Sequence, residues 1–247
     1  MLDYVTLTER EVARCVRLAR ATDHAIPLDH LPGWTVGEVV AHLAGDFRWA
    51  TKFLTARRHD GSLLLSSEEE GEALCVELER AGASMVAAMG AASREVDVAC
   101  PNFAEGDSGR LGWWVRHQLH ETAMHRWDLE VPSGQHQPIS AEQAADGIDE
   151  LLHIYTRRYS PHAITSPVSI RCTDAGEAPH GWTVTPVGSR GRVTVERTPG
   201  SEPADLEGPA EGLLLTLWNR LTADHAGVRW GGSEAELEVF LNGPLTA

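Results

Sequence analysis

The amino-acid sequence predicts an α+β protein of two domains, a helical bundle followed by a smaller domain of strands and helices. Two observations support this fold class. Apolar residues recur at intervals of three and four along residues 1–160, as they do on one face of a helix. After Pro161 the pattern changes to short alternating segments separated by Gly, Pro and Asp, which is typical of strands. We therefore place the two domains at residues 1–162 and 163–247.

Capping signals indicate where the N-terminal helices begin. A Ser or Thr followed three residues later by Glu or Gln can satisfy free amides at a helix start. This spacing occurs at Thr8–Glu11, Thr35–Glu38, Ser67–Glu70 and Ser140–Gln143. With the Pro and Gly breaks between them, these signals predict helices at residues 7–22, 35–58, 67–91, 109–130 and 140–158. Long helices with brief connections favour an antiparallel four-helix bundle.

The C-terminal domain is predicted from its alternation and its turns. Strands are expected at residues 168–172, 181–185 and 192–197. A helix is expected at 209–222, with Pro209 in its first turn, where a missing amide costs nothing. A short strand at 228–230 and a helix at 233–241 complete a small α+β domain.

Composition narrows the classes of function and partner. The 247 residues include 36 Asp and Glu against 21 Lys and Arg, a net charge of −15, which disfavours nucleic acid and anionic lipid as partners. No apolar run reaches the roughly 18–20 residues that span a bilayer, and the N-terminus lacks a signal pattern. The four cysteines are scattered without a CxxC, so no disulfide framework is indicated. We expect a cytoplasmic protein, either a monomer or a small homo-oligomer.

The segment from Trp113 to Glu130 carries the clearest chemistry. Glu121 and His125 are four residues apart and therefore share one face of a helix, which suits two ligands of one metal ion. The string HETAMH is one residue longer than the zincin motif H-E-x-x-H. His120 and His125 are separated by about 500° around a helix and point in different directions. We therefore expect no zincin-type peptidase activity.

A third ligand must come from another part of the chain. His42 lies on the apolar stripe of its helix or at the edge of that stripe and is the best candidate, whereas His117, one turn before Glu121, competes with it. Three nitrogen and oxygen ligands would leave positions open for water or substrate. From spacing alone, these residues could equally bind no metal. A histidine near an apolar stripe is more often a core residue, and a Glu–His pair on a helix is commonly solvated. Asp46, one turn after His42, is either an orienting partner of that imidazole or solvated.

The remaining histidines are interpreted as surface residues, since they lie in predicted loops, near helix ends or on polar faces. They are His24, His30, His59, His136, His153, His162, His180 and His225. Cys15 and Cys75 lie at apolar helical positions and are expected in the core.

Three segments resemble the mycothiol-dependent maleylpyruvate isomerase family, which belongs to the DinB-like metal-binding bundles. PGWTVGEVVAHLAG (32–45) and RHQLHETAMHRWD (116–128) resemble its two signature segments. GPAEGLLLTLWNR (208–220) resembles its C-terminal domain, which is related to sterol-carrier-protein folds. The resemblance implies that His42, Glu121 and His125 bind a divalent metal, usually zinc, although nickel, cobalt or iron would also suit these donors.

The same resemblance implies roles for residues around the ligands. Arg220 stands where the family's C-terminal domain contributes an active-site arginine, which could grip a carboxylate in a bidentate way. An ordinary arginine at a helix end is the alternative for this position. Arg126 and Asp128 match the family's HRxD sequence and are interpreted either as structural residues or as residues that support the ligands.

The family's chemistry implies a small-molecule substrate and mycothiol as a low-molecular-weight thiol cosubstrate, with an active site where the two domains meet. A metal-activated thiolate adds to the cis double bond of maleylpyruvate, the bond rotates, and loss of the thiol gives the trans isomer; relatives transfer the sulfur instead. Twenty of the 21 basic residues are Arg and only Lys52 is Lys, a bias typical of GC-rich genomes such as those of actinobacteria, which make mycothiol. The alternatives are a hydrolase-like enzyme that uses metal-bound water, and a non-catalytic protein that binds a metal or a small molecule.

Overall fold

The chain forms two compact units, residues 1–137 and 138–247. The computed structural model describes residues 2–57, 66–99, 108–155, 164–174, 180–187, 192–199, 204–231 and 234–241. The first unit is helical and the second contains a five-stranded sheet, which confirms the predicted α+β class. The predicted boundary at residues 162 and 163 comes later than this division, because the helix after Ser140 packs against a helix of the C-terminal unit.

Four helices make up most of the N-terminal unit. They are α1 (Tyr4–Ala21), α2 (Val36–Ala56), α3 (Gly71–Ala91) and α4 (Leu111–Glu130). A short antiparallel pair, β1 (Asp97–Ala99) and β2 (Ser108–Arg110), precedes α4. The four helices were predicted from periodicity, whereas strands of three residues are too short to show alternation.

Two of the four predicted capping signals are confirmed. At the start of α2, the Glu38 amide donates to the Thr35 hydroxyl at 3.3 Å and the Thr35 amide donates to the Glu38 carboxylate at 2.6 Å. Before the helix at residue 141, the Gln143 amide donates to the Ser140 hydroxyl at 3.2 Å. These caps fix the starts of two helices at the predicted residues.

The other two capping predictions are wrong. Helix α1 begins at Tyr4 behind Asp3, so Thr8 lies inside the helix and its hydroxyl donates to the Tyr4 carbonyl at 2.6 Å. Glu70 itself precedes α3, and the Ser67 hydroxyl donates to the Glu77 carboxylate instead. The spacing of a capping box also occurs within helices and loops, and only the backbone conformation decides between these settings.

The direction of the helices follows from their contacts. Trp49 and Phe53 on α2 contact Trp114 at the start of α4, with ring centroids 5.1 and 5.0 Å apart, whereas residues earlier on α2 meet later turns of α4. These two helices are therefore antiparallel. Helices α2 and α3 instead run in the same direction and depart from the predicted antiparallel arrangement, because the Ser67 amide donates to the Ala41 carbonyl near their starts and Phe47 lies beside Gly82 further along.

The C-terminal unit combines a mixed sheet with three helices among the described residues. Its elements are α5 (Ala141–Glu150), a π-helical turn (Leu151–Tyr155), β3 (Val168–Cys172), β4 (Gly181–Val187), β5 (Arg192–Thr198), β6 (Leu206–Gly208), α6 (Ala210–Leu217), β7 (Arg229–Trp230) and α7 (Glu234–Leu241). The strand order is β5-β4-β3-β6-β7, and β3 and β6 pair in parallel while the other neighbours are antiparallel. The three-residue strand β6 was not predicted.

Helix α5 is bound to this sheet through one carboxylate. Asp149 accepts a hydrogen bond from the Trp182 indole at 2.9 Å and two from the Arg197 guanidinium at 2.6 Å each. Trp182 is on β4 and Arg197 on β5, so the carboxylate joins the helix to both strands. This contact explains why α5 belongs to the C-terminal unit.

Helix α6 is shorter than predicted at both ends. Pro209 precedes the helix as its N-cap and does not occupy the first turn, which corrects the sequence prediction. The helix ends at Leu217, before residue 222, because Asn219 adopts a left-handed conformation with φ of 55°. None of the helices in the described part of the chain is long and apolar enough to cross a bilayer.

We expect two glycines of α3 to respond oppositely to Ala. A Cβ on Gly82 would overlap the Val12 side chain, so Gly82→Ala should lower the free energy of unfolding by about 1–3 kcal/mol. A Cβ on exposed Gly90 meets nothing within 4 Å, so Gly90→Ala should raise it by about 0.5–1 kcal/mol through helix propensity. Urea unfolding checks both values, and equal effects would contradict the described packing of α3.

Candidate metal centre

Helices α2 and α4 bring three potential ligand side chains together. His42 Nε2 lies 3.3 Å from Glu121 Oε1, and His125 Nε2 lies 3.2 Å from the same oxygen. One nitrogen or oxygen atom from each residue lies within 4.8 Å of the other two. The structure thus places the three predicted metal ligands in one cluster, which we call the His–Glu–His cluster.

The local sequence explains why these side chains meet. Glu121 and His125 project from adjacent turns of one face of α4. On α2, Val39 and Leu43 are completely buried and hold the helix against the core, so that His42 between them emerges at the edge of the packed surface. The exposed fractions of the side chains are 18% for His42, 13% for Glu121 and 7% for His125, so the cluster is sheltered but reachable from solvent.

Hydrogen bonds and burial oppose each other in setting the charges of the cluster. Burial alone would raise the pKa of Glu121, but hydrogen bonds from His125 and His42 outweigh it and hold that pKa well below its ordinary range. Burial alone would lower the pKa of His125, but hydrogen bonds to Asp128 and Glu121 outweigh it and raise that pKa to about 9. The cluster therefore contains a carboxylate that stays ionised.

Asp128 is hydrogen-bonded to Nδ1 of His125, the ring nitrogen that does not contact Glu121. Its Oδ2 lies 2.9 Å from His125 Nδ1, and its Oδ1 lies 3.0 Å from His30 Nε2. The prediction that His30 is a surface residue is therefore wrong, because its side chain is only 10% exposed and bonded to a fully buried carboxylate. Asp128 thus contacts the candidate ligand His125 directly and links it to His30.

The competing ligand His117 does not join the cluster formed in the described residues. Its ring meets Trp114 edge-on, with centroids 5.5 Å apart. The centroid of the His42 ring instead lies 4.8 Å from that of His125 and 5.5 Å from that of Trp34. His120 is buried away from the three donor atoms, as its spacing predicted.

Asp46 is buried beside the cluster, so the solvated alternative for this residue is wrong. Burial, followed by the negative charge of Glu121, raises the pKa of Asp46 to about 6. Its Oδ2 atom has no hydrogen-bond partner among the described residues.

The other histidines divide between surface and partly buried positions. His136 and His225 are exposed as predicted. His24, His153 and His180 are half-buried, and His24 Nε2 and His153 Nδ1 donate to the carbonyls of Ala19 and Asp149. His59 and His162 lie outside the described residues. Cys15 and Cys75 are buried, as expected of core residues.

Arg220 lies in the C-terminal unit, beyond the end of α6. Its backbone amide donates to the Leu215 carbonyl at 2.8 Å, and its guanidinium donates to the Trp218 carbonyl at 3.0 Å. The guanidinium carbon also lies 5.8 Å from the centre of the Trp218 ring. Because the residue is 7% exposed and follows a left-handed turn, it is not an ordinary arginine in the last turn of a helix.

The donor atoms of the His–Glu–His cluster fit a divalent transition ion. Two imidazole nitrogens and one carboxylate oxygen are the ligands of many zinc sites that keep a position open for chemistry. The Nδ1 of His125 is already hydrogen-bonded to a carboxylate, an arrangement typical of metal-ligating histidines. Asp46, buried beside the donors, would add negative charge next to a cation.

Comparison with known proteins identifies two similarities. The family model described as "Mycothiol maleylpyruvate isomerase N-terminal domain" matches residues 5–130, half of the chain, and this range contains all three residues of the cluster. A crystal structure of a histidine-to-alanine mutant of the mycothiol-dependent maleylpyruvate isomerase aligns with a TM-score of 0.58 at 14% identity, over 87% of each chain. At that identity the likeness concerns the fold. No curated protein matches the sequence.

We expect the chelator-treated protein to lose stability as the pH rises from 6.5 to about 9. The pKa of His125 rises from 6.5 to about 9 on folding. Protonation of His125 therefore stabilises the folded state fully below pH 6.5, and this stabilisation is lost once the pH exceeds the folded-state pKa of about 9. The loss should be on the order of 3 kcal/mol. Urea unfolding of the wild type and of His125→Gln across this window measures it; parallel pH profiles of the two proteins would contradict the assignment.

Proposed function

Because the chain belongs to the mycothiol maleylpyruvate isomerase N-terminal domain family, we propose that it is a metal- and mycothiol-dependent enzyme. The proposed reaction is cis–trans isomerisation of maleylpyruvate or of a small unsaturated acid of the same kind. The observation that carries the proposal is the convergence of His42, Glu121 and His125 within 4.8 Å. The family model covers these residues, so site and family point to the same chemistry.

In this proposal His42, Glu121 and His125 hold one divalent ion, and zinc suits these donors. Such an ion, when bound, lowers the pKa of a coordinating thiol, so that the thiolate is available at neutral pH. The ionised Glu121 supplies the one negative charge among the three donors. Asp128 keeps a proton on His125 Nδ1 and so leaves Nε2 as the donor atom that faces the other two residues.

The proposed chemistry is a reversible addition of sulfur. A bond forms between the thiolate sulfur and one carbon of the cis double bond, and the electron pair of that double bond moves onto the conjugated carbonyl. The remaining single bond rotates, the electron pair returns, and the carbon–sulfur bond breaks to release the thiol unchanged. With an electrophile that carries a leaving group, the thiolate sulfur would bond to the carbon, the bond to the leaving group would break, and that group would depart with the electron pair. The sulfur then stays on the product, which is the S-transfer version of the same activity.

We propose that Arg220 binds a carboxylate of the acidic substrate. A guanidinium donates two parallel hydrogen bonds to a carboxylate, which suits a dianionic acid such as maleylpyruvate. The side chain is held in place by the Trp218 carbonyl and ring, so little conformational freedom is lost when it binds an anion. The chain's net charge of −15 makes a fixed positive group especially useful for recognising an anion.

We expect the wild type to contain about one equivalent of divalent metal and to isomerise maleylpyruvate only when mycothiol is added. Glu121→Gln removes the charged donor and should abolish metal binding and isomerisation. The control Glu79→Gln changes an exposed carboxylate of α3 and should keep metal binding and isomerisation. Elemental analysis and a coupled absorbance assay measure the two properties. Less than a tenth of an equivalent after reconstitution, or thiol-independent turnover, would contradict the proposal.

Two alanine variants test whether His42 or His117 is the third metal ligand. His42→Ala should abolish metal binding, whereas His117→Ala should retain it, because His117 packs against Trp114 outside the cluster. Metal content after dialysis of each variant decides between them. The opposite outcome would move the third ligand to α4.

We expect Arg220→Lys to raise the KM for maleylpyruvate at least about tenfold with unchanged metal content, because a lysine cannot make the bidentate contact. Arg229→Lys changes an arginine of the same unit that is 78% exposed and serves as the control. Steady-state kinetics with mycothiol in excess measure the effect. An unchanged KM for Arg220→Lys would remove this residue from substrate binding.

A further inference from the structure

We propose that His30 is a positioning residue for the metal centre, acting through Asp128 on His125. The inference rests on the proposed function only in naming the metal centre as the site that benefits. It concerns a loop residue that sequence spacing placed on the surface. Its partner Asp128 lies 98 positions further along the chain, so no helical spacing in the sequence relates the two residues.

The geometry forms a continuous chain of hydrogen bonds. His30 Nε2 lies 3.0 Å from Asp128 Oδ1, and Asp128 Oδ2 lies 2.9 Å from His125 Nδ1. An ionised carboxylate only accepts hydrogen bonds, so both imidazole rings must donate to it. Asp128 is completely buried, where a carboxylate without donors would be costly. The two histidines therefore hold the carboxylate from both sides.

This arrangement determines which atom of His125 can bind a metal. Because Nδ1 carries the proton that is donated to Asp128, the lone pair available for a ligand bond is on Nε2. That atom lies 3.2 Å from Glu121 Oε1, inside the cluster. Without His30, Oδ1 of the buried carboxylate would lose a donor that helps to hold Asp128 in the orientation in which it meets His125.

The loop between α1 and α2 holds His30 firmly in this position. The Leu28 amide donates to the Trp34 carbonyl at 2.9 Å, and the Leu31 amide donates to the Leu28 carbonyl at 3.0 Å. The His30 ring also meets the Trp127 ring edge-on, with centroids 5.0 Å apart. His30 is thus a fixed part of the packed structure.

The first test compares the zinc affinities of three variants by competition with a chromophoric chelator. His30→Ala should weaken binding about 10–100-fold, the usual effect of losing a partner behind a metal ligand. His30→Gln should recover most of that loss, because its amide can donate to Asp128. His136→Ala removes an exposed histidine of the same unit and should change nothing. Equal affinities of His30→Ala and the wild type would overturn the proposal.

A double-mutant cycle tests whether the effect passes through Asp128. Asp128→Asn should weaken zinc binding by itself, and adding His30→Ala to it should have little further effect. Fully additive losses would show that His30 acts by another route and would overturn the proposal. Circular dichroism of each variant confirms that the helices are retained.

A second readout needs no metal and separates this inference from the proposed function. In the proton NMR spectrum of the chelator-treated wild type, the hydrogen-bonded Nδ1 proton of His125 should give a low-field signal that is lost in His30→Ala and restored in His30→Gln. An unchanged signal in His30→Ala would overturn the positioning role. A wild type that binds no zinc but shows these NMR changes would contradict the proposed function and support the positioning role.

Discussion

The antiparallel contact of α2 with α4 is the constraint on which the candidate site depends. It places one oxygen, Glu121 Oε1, within 3.3 Å of a nitrogen on each of two histidines from different helices. Such a contact is sensitive to small changes in the spacing of the helices. The aromatic rings of Trp49, Phe53 and Trp114 set that spacing, with centroids 5.0 to 5.3 Å apart. The geometry of the candidate site therefore depends on the packing of the aromatic core.

Buried ion pairs connect the C-terminal part of α4 to α1. Arg126 is almost fully buried and donates to Glu11 on α1 at 2.8 Å and to Glu130 at 2.6 Å, and Arg14 on α1 donates to the same Glu130 at 2.5 Å. Buried ion pairs add little net stability but allow few alternative arrangements. Together with His30 and Asp128, they fix the position and rotation of α4. A helix fixed in this way presents Glu121 and His125 in one direction.

The sequence predicted the features that follow from regular spacing. Glu121 and His125 share a helix face by their separation of four residues, and His42 follows from the apolar stripe of α2. His30 escaped prediction because it lies in a loop and its partner is 98 residues away. The end of α6 was not predicted either, because it depends on the left-handed backbone conformation of Asn219, which the periodicity of apolar residues does not indicate. Spacing within one helix is readable, whereas pairings between distant segments depend on tertiary packing.

The most direct test of the account is X-ray absorption spectroscopy of the zinc-loaded protein before and after adding mycothiol. If the metal activates the thiol, we expect only nitrogen and oxygen ligands at about 2.0–2.2 Å in the first sample, and one added sulfur at about 2.3 Å in the second. The oxygen analogue of the thiol should not produce the sulfur signal. A first shell that stays free of sulfur when mycothiol is in excess would contradict a metal-activated thiol.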